Sequence, residues 1–246
     1  MTCEACRTIP PVVSTGYTAK GQYEDIAGIR SYVTGPPDAP IGLFGVYGVF
    51  DLAIQTLQGA DRLATHLNTT VLVPDLFNGD AIQAAWYPPD TDEKKALVTK
   101  FMSEKAAFPQ NVETLQVFMT ASKAGVSIVE RWGAYGLCWG LVALASGAYT
   151  PFVASGQTHP GRLEKADVED LTIPHIALAS KDEPADVVQE YSQIISSNGI
   201  GGEVEIYSSM WHGWMGARAD LEDENGYAEY ARGYDQFAAF VEKYLR

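Results

Sequence analysis

Trp132-Gly133-Ala134-Tyr135-Gly136-Leu137-Cys138-Trp139-Gly140 is the stretch on which the fold turns. Its first residues, Trp132 to Tyr135, form a short apolar run suited to a buried strand, and a helix is expected beyond Gly140. Between them, Gly136-Leu137-Cys138-Trp139-Gly140 has the form Gly-x-nucleophile-x-Gly. At a strand-to-helix turn that form lifts the middle side chain out on a strained bend. Small residues are needed two before and two after it, because strand and helix approach closely there. A helix starting behind Cys138 would turn its positive end toward the sulfur, favouring a thiolate and the oxyanion formed when a carbonyl is attacked. A buried structural cysteine can carry the same letters, so the rest of the chain has to decide between them.

Working outward, no charged residue occurs from Gly133 to Thr158, a length of low polarity that would suit a membrane span. Gly133, Gly136, Gly140, Gly147, Pro151 and Gly156 cut it into a strand, a tight turn, a helix and a second strand. Upstream, Ile41 to Val46 and Val71 to Val73 are short apolar runs, and between them Leu57, Ala60, Leu63, Ala64 and Leu67 recur at helical spacing, ending near Asn68. A hairpin is expected around Ala27-Gly28. Further strands are expected at Pro151 to Ser155, Ile176 to Ser180 and Val204 to Tyr207. Helices are expected at 92–105, 111–123, 185–197 and 227–245. Apolar strands alternating with helices predict an α/β fold whose mostly parallel central sheet is covered by helices on both faces, with ligands at the carboxyl ends of the strands. Residues 1–20 read as an extended lead-in and 21–246 as one domain.

Composition bounds the partners. The 246 residues include 17 Lys+Arg and 31 Asp+Glu, a net charge of −14, with 46% apolar residues. That charge disfavours nucleic acid and anionic membranes, leaving a small molecule as the expected partner. No feature fixes an oligomeric state. Cys3, Cys6 and Cys138 are too few for a disulfide framework, and the N-terminus lacks the basic and apolar regions of a secretory signal, so a cytoplasmic protein with reduced thiols is expected. Cys3-Glu4-Ala5-Cys6 has the spacing of half a zinc site, but no second pair lies near it in the sequence.

A thiol nucleophile needs a base, and the base needs a carboxylate. The strand-turn-helix nucleophile implies the chain order nucleophile, acid, histidine, each on a loop after a strand. Lys181-Asp182-Glu183-Pro184 follows one predicted strand and Met210-Trp211-His212-Gly213-Trp214 another. Among four histidines, His212 is favoured. His159 is its rival and can line the pocket instead, His66 lies on an amphipathic helix, and His175 sits at the amino end of a strand. Asp182 is favoured as the acid over Glu183 and Asp186 because it lies nearest the strand end, although any of the three can also charge the first turn of the next helix.

Taken together, Gly-Leu-Cys-Trp-Gly, Ala-Ser-Lys-Asp-Glu-Pro and Trp-His-Gly-Trp, with Gln55 to Asp61 and Pro74-Asp75-Leu76-Phe77 upstream, resemble the dienelactone hydrolase family, in particular its fungal branch. The resemblance runs from about Thr15 to the C-terminus. It implies an α/β-hydrolase fold and a Cys-His-Asp triad, Cys138, His212 and Asp182, that hydrolyses a lactone, ester or thioester through an acyl-enzyme. It further implies an oxyanion hole at the backbone amides of Trp139 and Val49, and no metal or organic cofactor. Two positions depart from the bacterial pattern. Gly48 stands where a glutamate meets the resting thiol, and Asn78-Gly79 stand where an arginine holds the substrate carboxylate, which speaks against dienelactone itself. Tyr47, Trp86, Trp211, Trp214, Arg218 and His159 are the candidate substrate contacts, the tryptophans forming with Tyr87 and Trp139 an expected aromatic pocket. Two rivals remain: a binding or non-hydrolytic protein on the same fold, in which one triad position would be misplaced or blocked, and a flavodoxin-like cysteine enzyme, which usually has a histidine after the cysteine.

Overall fold

Ile41–Val46, Thr70–Pro74 and His175–Ser180 are buried along their whole length, the signature of strands covered on both faces. They belong to an eight-stranded sheet in a computed structural model that describes residues 9–125, 129–139 and 141–246. Cys3, Cys6 and Gly140 lie outside the described residues. In chain order the strands are β1 (Gln22–Ile26), β2 (Ile29–Thr34), β3 (Ile41–Val46), β4 (Thr70–Pro74), β5 (Arg131–Leu137), β6 (Ala154–Thr158), β7 (His175–Ser180) and β8 (Gly202–Tyr207). Their spatial order is β1-β2-β4-β3-β5-β6-β7-β8, antiparallel only at β1-β2 and β2-β4. The hairpin turns at Ala27-Gly28, both with positive φ, as a two-residue loop between twisted strands favours.

The helices are α1 (Ile54–Leu67), α2 (Asp92–Glu104), α3 (Phe108–Gly125), α4 (Leu141–Leu144), α5 (Lys165–Glu169), α6 (Ala185–Ser197) and α7 (Glu224–Leu245), with a 3-10 turn at Ala84–Trp86. α1 ends at Asn68, whose left-handed backbone caps it. On one face α1 and α7 pack together, joined by a two-pronged bond from Arg62 to Asp235 at 3.0 and 2.6 Å. Across the sheet, Phe118 of α3 meets Phe44 of β3, and Val188, Tyr191 and Ile195 of α6 pack with Val168, Leu171 and Ala179. This is the α/β-hydrolase architecture. Because β3 and β5 to β8 are parallel, Val46, Leu137, Thr158, Ser180 and Tyr207 all end at one edge, and the loops after them share one end of the molecule.

The largest departure from the expected elements is β6, which lies three residues later than the predicted 151–155. Ala154-Ser155-Gly156-Gln157-Thr158 is polar in its letters yet wholly buried. Ser155 explains part of this, since its hydroxyl meets Ser146 Oγ and His175 Nδ1, each at 2.8 Å. Gly156 explains another part: a Cβ there would lie 2.5 Å from Ile176 Cγ2 and 2.7 Å from a ring carbon of Phe237. Gly156→Ala is therefore expected to cost about 1–3 kcal/mol by overpacking, measured as a lower urea midpoint; an unchanged midpoint would contradict this close packing.

His175 is fully buried, and burial alone lowers its pKa to about 3. The unfolded chain then binds a proton that the native state refuses, so stability is lost as pH falls from about 6.5 toward 3. Between pH 7 and pH 5 the expected loss from this group is about 1–2 kcal/mol. Urea titrations at the two pH values should show a larger fall for wild type than for His175→Gln. Equal falls would contradict it.

Candidate active site

Leu137 ends β5 and the chain reverses at Cys138, whose φ of 61° is uncommon for a residue with a side chain. Three observations explain the turn. A Cβ on Gly136 would lie 2.9 Å from Val142 Cγ2, so only glycine lets α4 close on the strand. The Cys138 amide donates to Thr158 O at 3.1 Å, continuing the β5-β6 ladder, and its carbonyl accepts from the Gly161 amide. The Trp139 amide donates to Leu137 O at 2.6 Å, closing the bend.

The sulfur meets His212 and the imidazole meets a carboxylate. His212 Nε2 lies 3.1 Å from Cys138 Sγ, and its Nδ1 lies 2.7 Å from Glu183 Oε1. The other Glu183 oxygen accepts from the Ser180 amide. Glu183 and His212 have fully buried side chains, and a carboxylate removed from water is tolerated only when both oxygens find partners. Asp182, expected as the acid, reaches His212 at the histidine's backbone. Asp182 Oδ2 accepts from the backbone N–H of His212 at 2.8 Å, so it fixes the loop that carries the imidazole, while Glu183 holds the ring. The reason lies in the turn after β7: residue 183 folds back over the strand end, where a glutamate reaches both the Ser180 amide and the ring.

Two further expectations change. α4 spans four residues, so the positive end behind the sulfur is that of a single turn. The Trp139 amide, expected to face an oxyanion, is turned into the bend. The β3–α1 loop does pass the sulfur as expected: a Cβ on Gly48 would lie 3.2 Å from Cys138 Cβ and 3.7 Å from Sγ. The neighbouring Val49 is buried, and its carbonyl accepts from the Ile82 amide at 3.0 Å.

A small cavity of about 10 Å³ opens beside the sulfur, with Cys138, His159, Arg218, Phe50, Gly48 and Ala217 among its walls. That is room for about a single water. His159 and Arg218 thus reach the site from the candidate substrate contacts, whereas the others do not line this cavity. Tyr47 donates to Asp75 Oδ1 at 2.8 Å and accepts from the Phe77 amide. Burial, reinforced by the negative charge of Asp75, drives its phenol pKa far up. Trp214 is stacked on Tyr207 in the core, with centroids 4.4 Å apart. Trp139 is buried against Phe77 and Phe108, and its indole donates to Ala106 O. Trp211 donates to Arg218 O, and Trp86 lies on the 3-10 turn. The expected aromatic pocket is therefore mostly packing. Phe50 and Ala217 have no distinguishing letters, although Phe50 sits in the loop where Val49 is singled out; Glu183 is one of the three candidate acids, and its letters do not set it above Asp182.

The lead-in crosses the same end. Ile9 O accepts from Arg218 Nε at 2.6 Å, the Val12 amide donates to Ala217 O at 2.8 Å, and Gln55 Nε2 donates to Val12 O at 2.9 Å. Among the described residues, no cluster of three or more His, Cys, Asp or Glu could hold a metal ion, and no helix is long and apolar enough to cross a membrane.

The dienelactone hydrolase family matches residues 54–245, most of the chain including the whole constellation. The chain belongs to the dienelactone hydrolase family. An uncharacterized AIM2 family protein of the fungus Schizosaccharomyces pombe is 31% identical over 233 residues, 93% of each chain. Solved structures with a similar fold include a dienelactone hydrolase from Anabaena variabilis, with TM-score 0.65 and 11% identity over 92% of this chain and 97% of that one. An esterase from Pyrococcus furiosus has TM-score 0.66 and 10% identity over 96% and 100%. As a member of the dienelactone hydrolase family, the protein is an ester or lactone hydrolase. That excludes the flavodoxin-like reading.

Proposed function

We propose that this dienelactone hydrolase family member cleaves a small lactone, ester or thioester through a Cys138 thiolate, with His212 as base and Glu183 as its orienting acid. The observation that carries the proposal is the unbroken chain of contacts from Sγ through His212 to Glu183, at 3.1 and 2.7 Å. His212 takes the thiol proton and the thiolate attacks the substrate carbonyl carbon. The tetrahedral oxyanion collapses, the carbon–oxygen or carbon–sulfur bond to the leaving group breaks, and the imidazolium returns the proton to that group. Water, deprotonated by the neutral His212, then attacks the thioester, and Cys138 leaves as the acid is released.

With Gly48 beside the sulfur and a one-turn helix behind it, activation of the thiol falls mainly on His212. The Val49 amide supplies one oxyanion donor. The Trp139 amide supplies the second on exchanging its bond to Leu137 O for one to the developing charge. Phe50, Arg218 and Ala217 must move apart to admit an acyl group, since the resting cavity holds about one water. The test is turnover of p-nitrophenyl acetate and small unsaturated lactones by wild type, Cys138→Ala and His212→Ala. Activity in wild type alone is expected, and equal turnover by all three would overturn the proposal.

A further inference from the structure

His159 is a buried titratable group that the proposed mechanism does not use. It follows β6 directly, with a left-handed φ of 37° and an exposure of 1%. Its amide donates to Leu178 O at 2.7 Å, which extends the β6-β7 register and fixes where the ring points. The ring stands edge-on to His212, centroids 5.2 Å apart at 73°. It lines the cavity that holds the Cys138 sulfur, and a Cβ on Gly216 would lie 3.8 Å from its Cε1.

Neither ring nitrogen of His159 has a hydrogen-bond partner among the described residues. An imidazole stripped of water without a partner is destabilising, and such groups are rare enough to need a reason. Burial, the neighbouring His212 and then Arg218 all disfavour the protonated ring. The neutral ring offers one N–H donor and one acceptor nitrogen. A hydroxyl group can use either one.

We propose that His159 is a substrate-binding residue that hydrogen-bonds an oxygen on the acyl part of the substrate, next to the scissile carbonyl. The preferred substrates are then short acyl groups with a hydroxyl on the carbon beside the carbonyl, rather than plain alkanoyl groups. The small cavity favours so compact a substituent. This inference rests on the cysteine-hydrolase reading for the position of the carbonyl, and adds the substrate class.

The experiment compares p-nitrophenyl glycolate with p-nitrophenyl propionate, in which a methyl replaces the hydroxyl, each rate normalised to its hydrolysis by hydroxide. Wild type should favour glycolate by about 10- to 100-fold in kcat/KM. His159→Phe keeps a flat ring and should lose that preference, the glycolate-to-propionate ratio of kcat/KM falling toward one. His159→Gln, which retains a donor, should restore part of it. An unchanged preference in His159→Phe, or an equal loss on both esters, would overturn the proposal. Unchanged turnover by Cys138→Ala would instead overturn the cysteine reading. Binding is read separately from turnover by titrating Cys138→Ala with glycolate and with propionate while following the His159 ring nitrogens by NMR. A shift with glycolate alone is expected, and no shift with glycolate would overturn the role of His159.

Discussion

Cys138→Ala is expected to lose ester hydrolysis by about 10⁴- to 10⁶-fold in kcat, the scale seen when the nucleophile of a hydrolytic triad is removed. The alanine leaves no atom able to form the acyl-enzyme, while the proposed oxyanion donors, the amides of Val49 and Trp139, remain to give a residual rate over water. The fold should persist, because alanine keeps both backbone bonds of residue 138, to Thr158 O and from the Gly161 amide. Circular dichroism and an unchanged urea midpoint check that, and progress curves with p-nitrophenyl acetate check the rate. A fall of less than tenfold in a folded variant would contradict the nucleophile assignment.

Glu183→Gln is expected to lower kcat by about 10³- to 10⁴-fold, whereas Asp182→Asn should change it by less than about tenfold. The two residues are adjacent, so the contrast depends on geometry alone. Glu183 Oε1 takes the Nδ1–H of His212 at 2.7 Å and steadies the charge that the ring acquires. A glutamine can offer its amide nitrogen to that ring and favour the wrong tautomer, and it removes the negative charge. Asp182 Oδ2 accepts the backbone N–H of His212 at 2.8 Å, a bond an asparagine carbonyl oxygen also makes. The measurement is kcat and KM for both variants beside wild type. Near-wild-type kcat for Glu183→Gln with a collapse for Asp182→Asn would return the acid role to Asp182.

Much of this was legible in the letters because backbone demands have few solutions. Gly136 and Cys138 mark a bend that tolerates no bulk two residues before the nucleophile, and the uncharged stretch from Gly133 to Thr158 carries most of the buried part of β5 and all of β6. The succession of strands and helices along the chain, and the loops bearing His212 and the candidate acids, followed from apolar runs at regular spacing. The choice of Glu183 over Asp182 could not be read this way. Both carboxylates lie in one turn, and a rotation of one residue within it exchanges the partner of the ring for the partner of the backbone. The tryptophans misled for a related reason: Trp139 and Trp214 sit in the loops at the right end of the sheet, but they find partners in Ala106, Phe77 and Tyr207 rather than in the cavity. Polarity hid β6, where Ser155 and Gln157 are buried despite their side chains. That displacement of the strand is also what brings His159 to its very end, beside the imidazole of His212.

The most direct measurement of the central claim is acid quenching during the first turnover of p-nitrophenyl acetate, followed by mass spectrometry of the digested protein. An acetyl group on the peptide carrying Cys138, present in wild type and absent in Cys138→Ala, is the predicted result. Release of p-nitrophenol with the acetyl group on any other residue, or continued hydrolysis in folded Cys138→Ala, would contradict it.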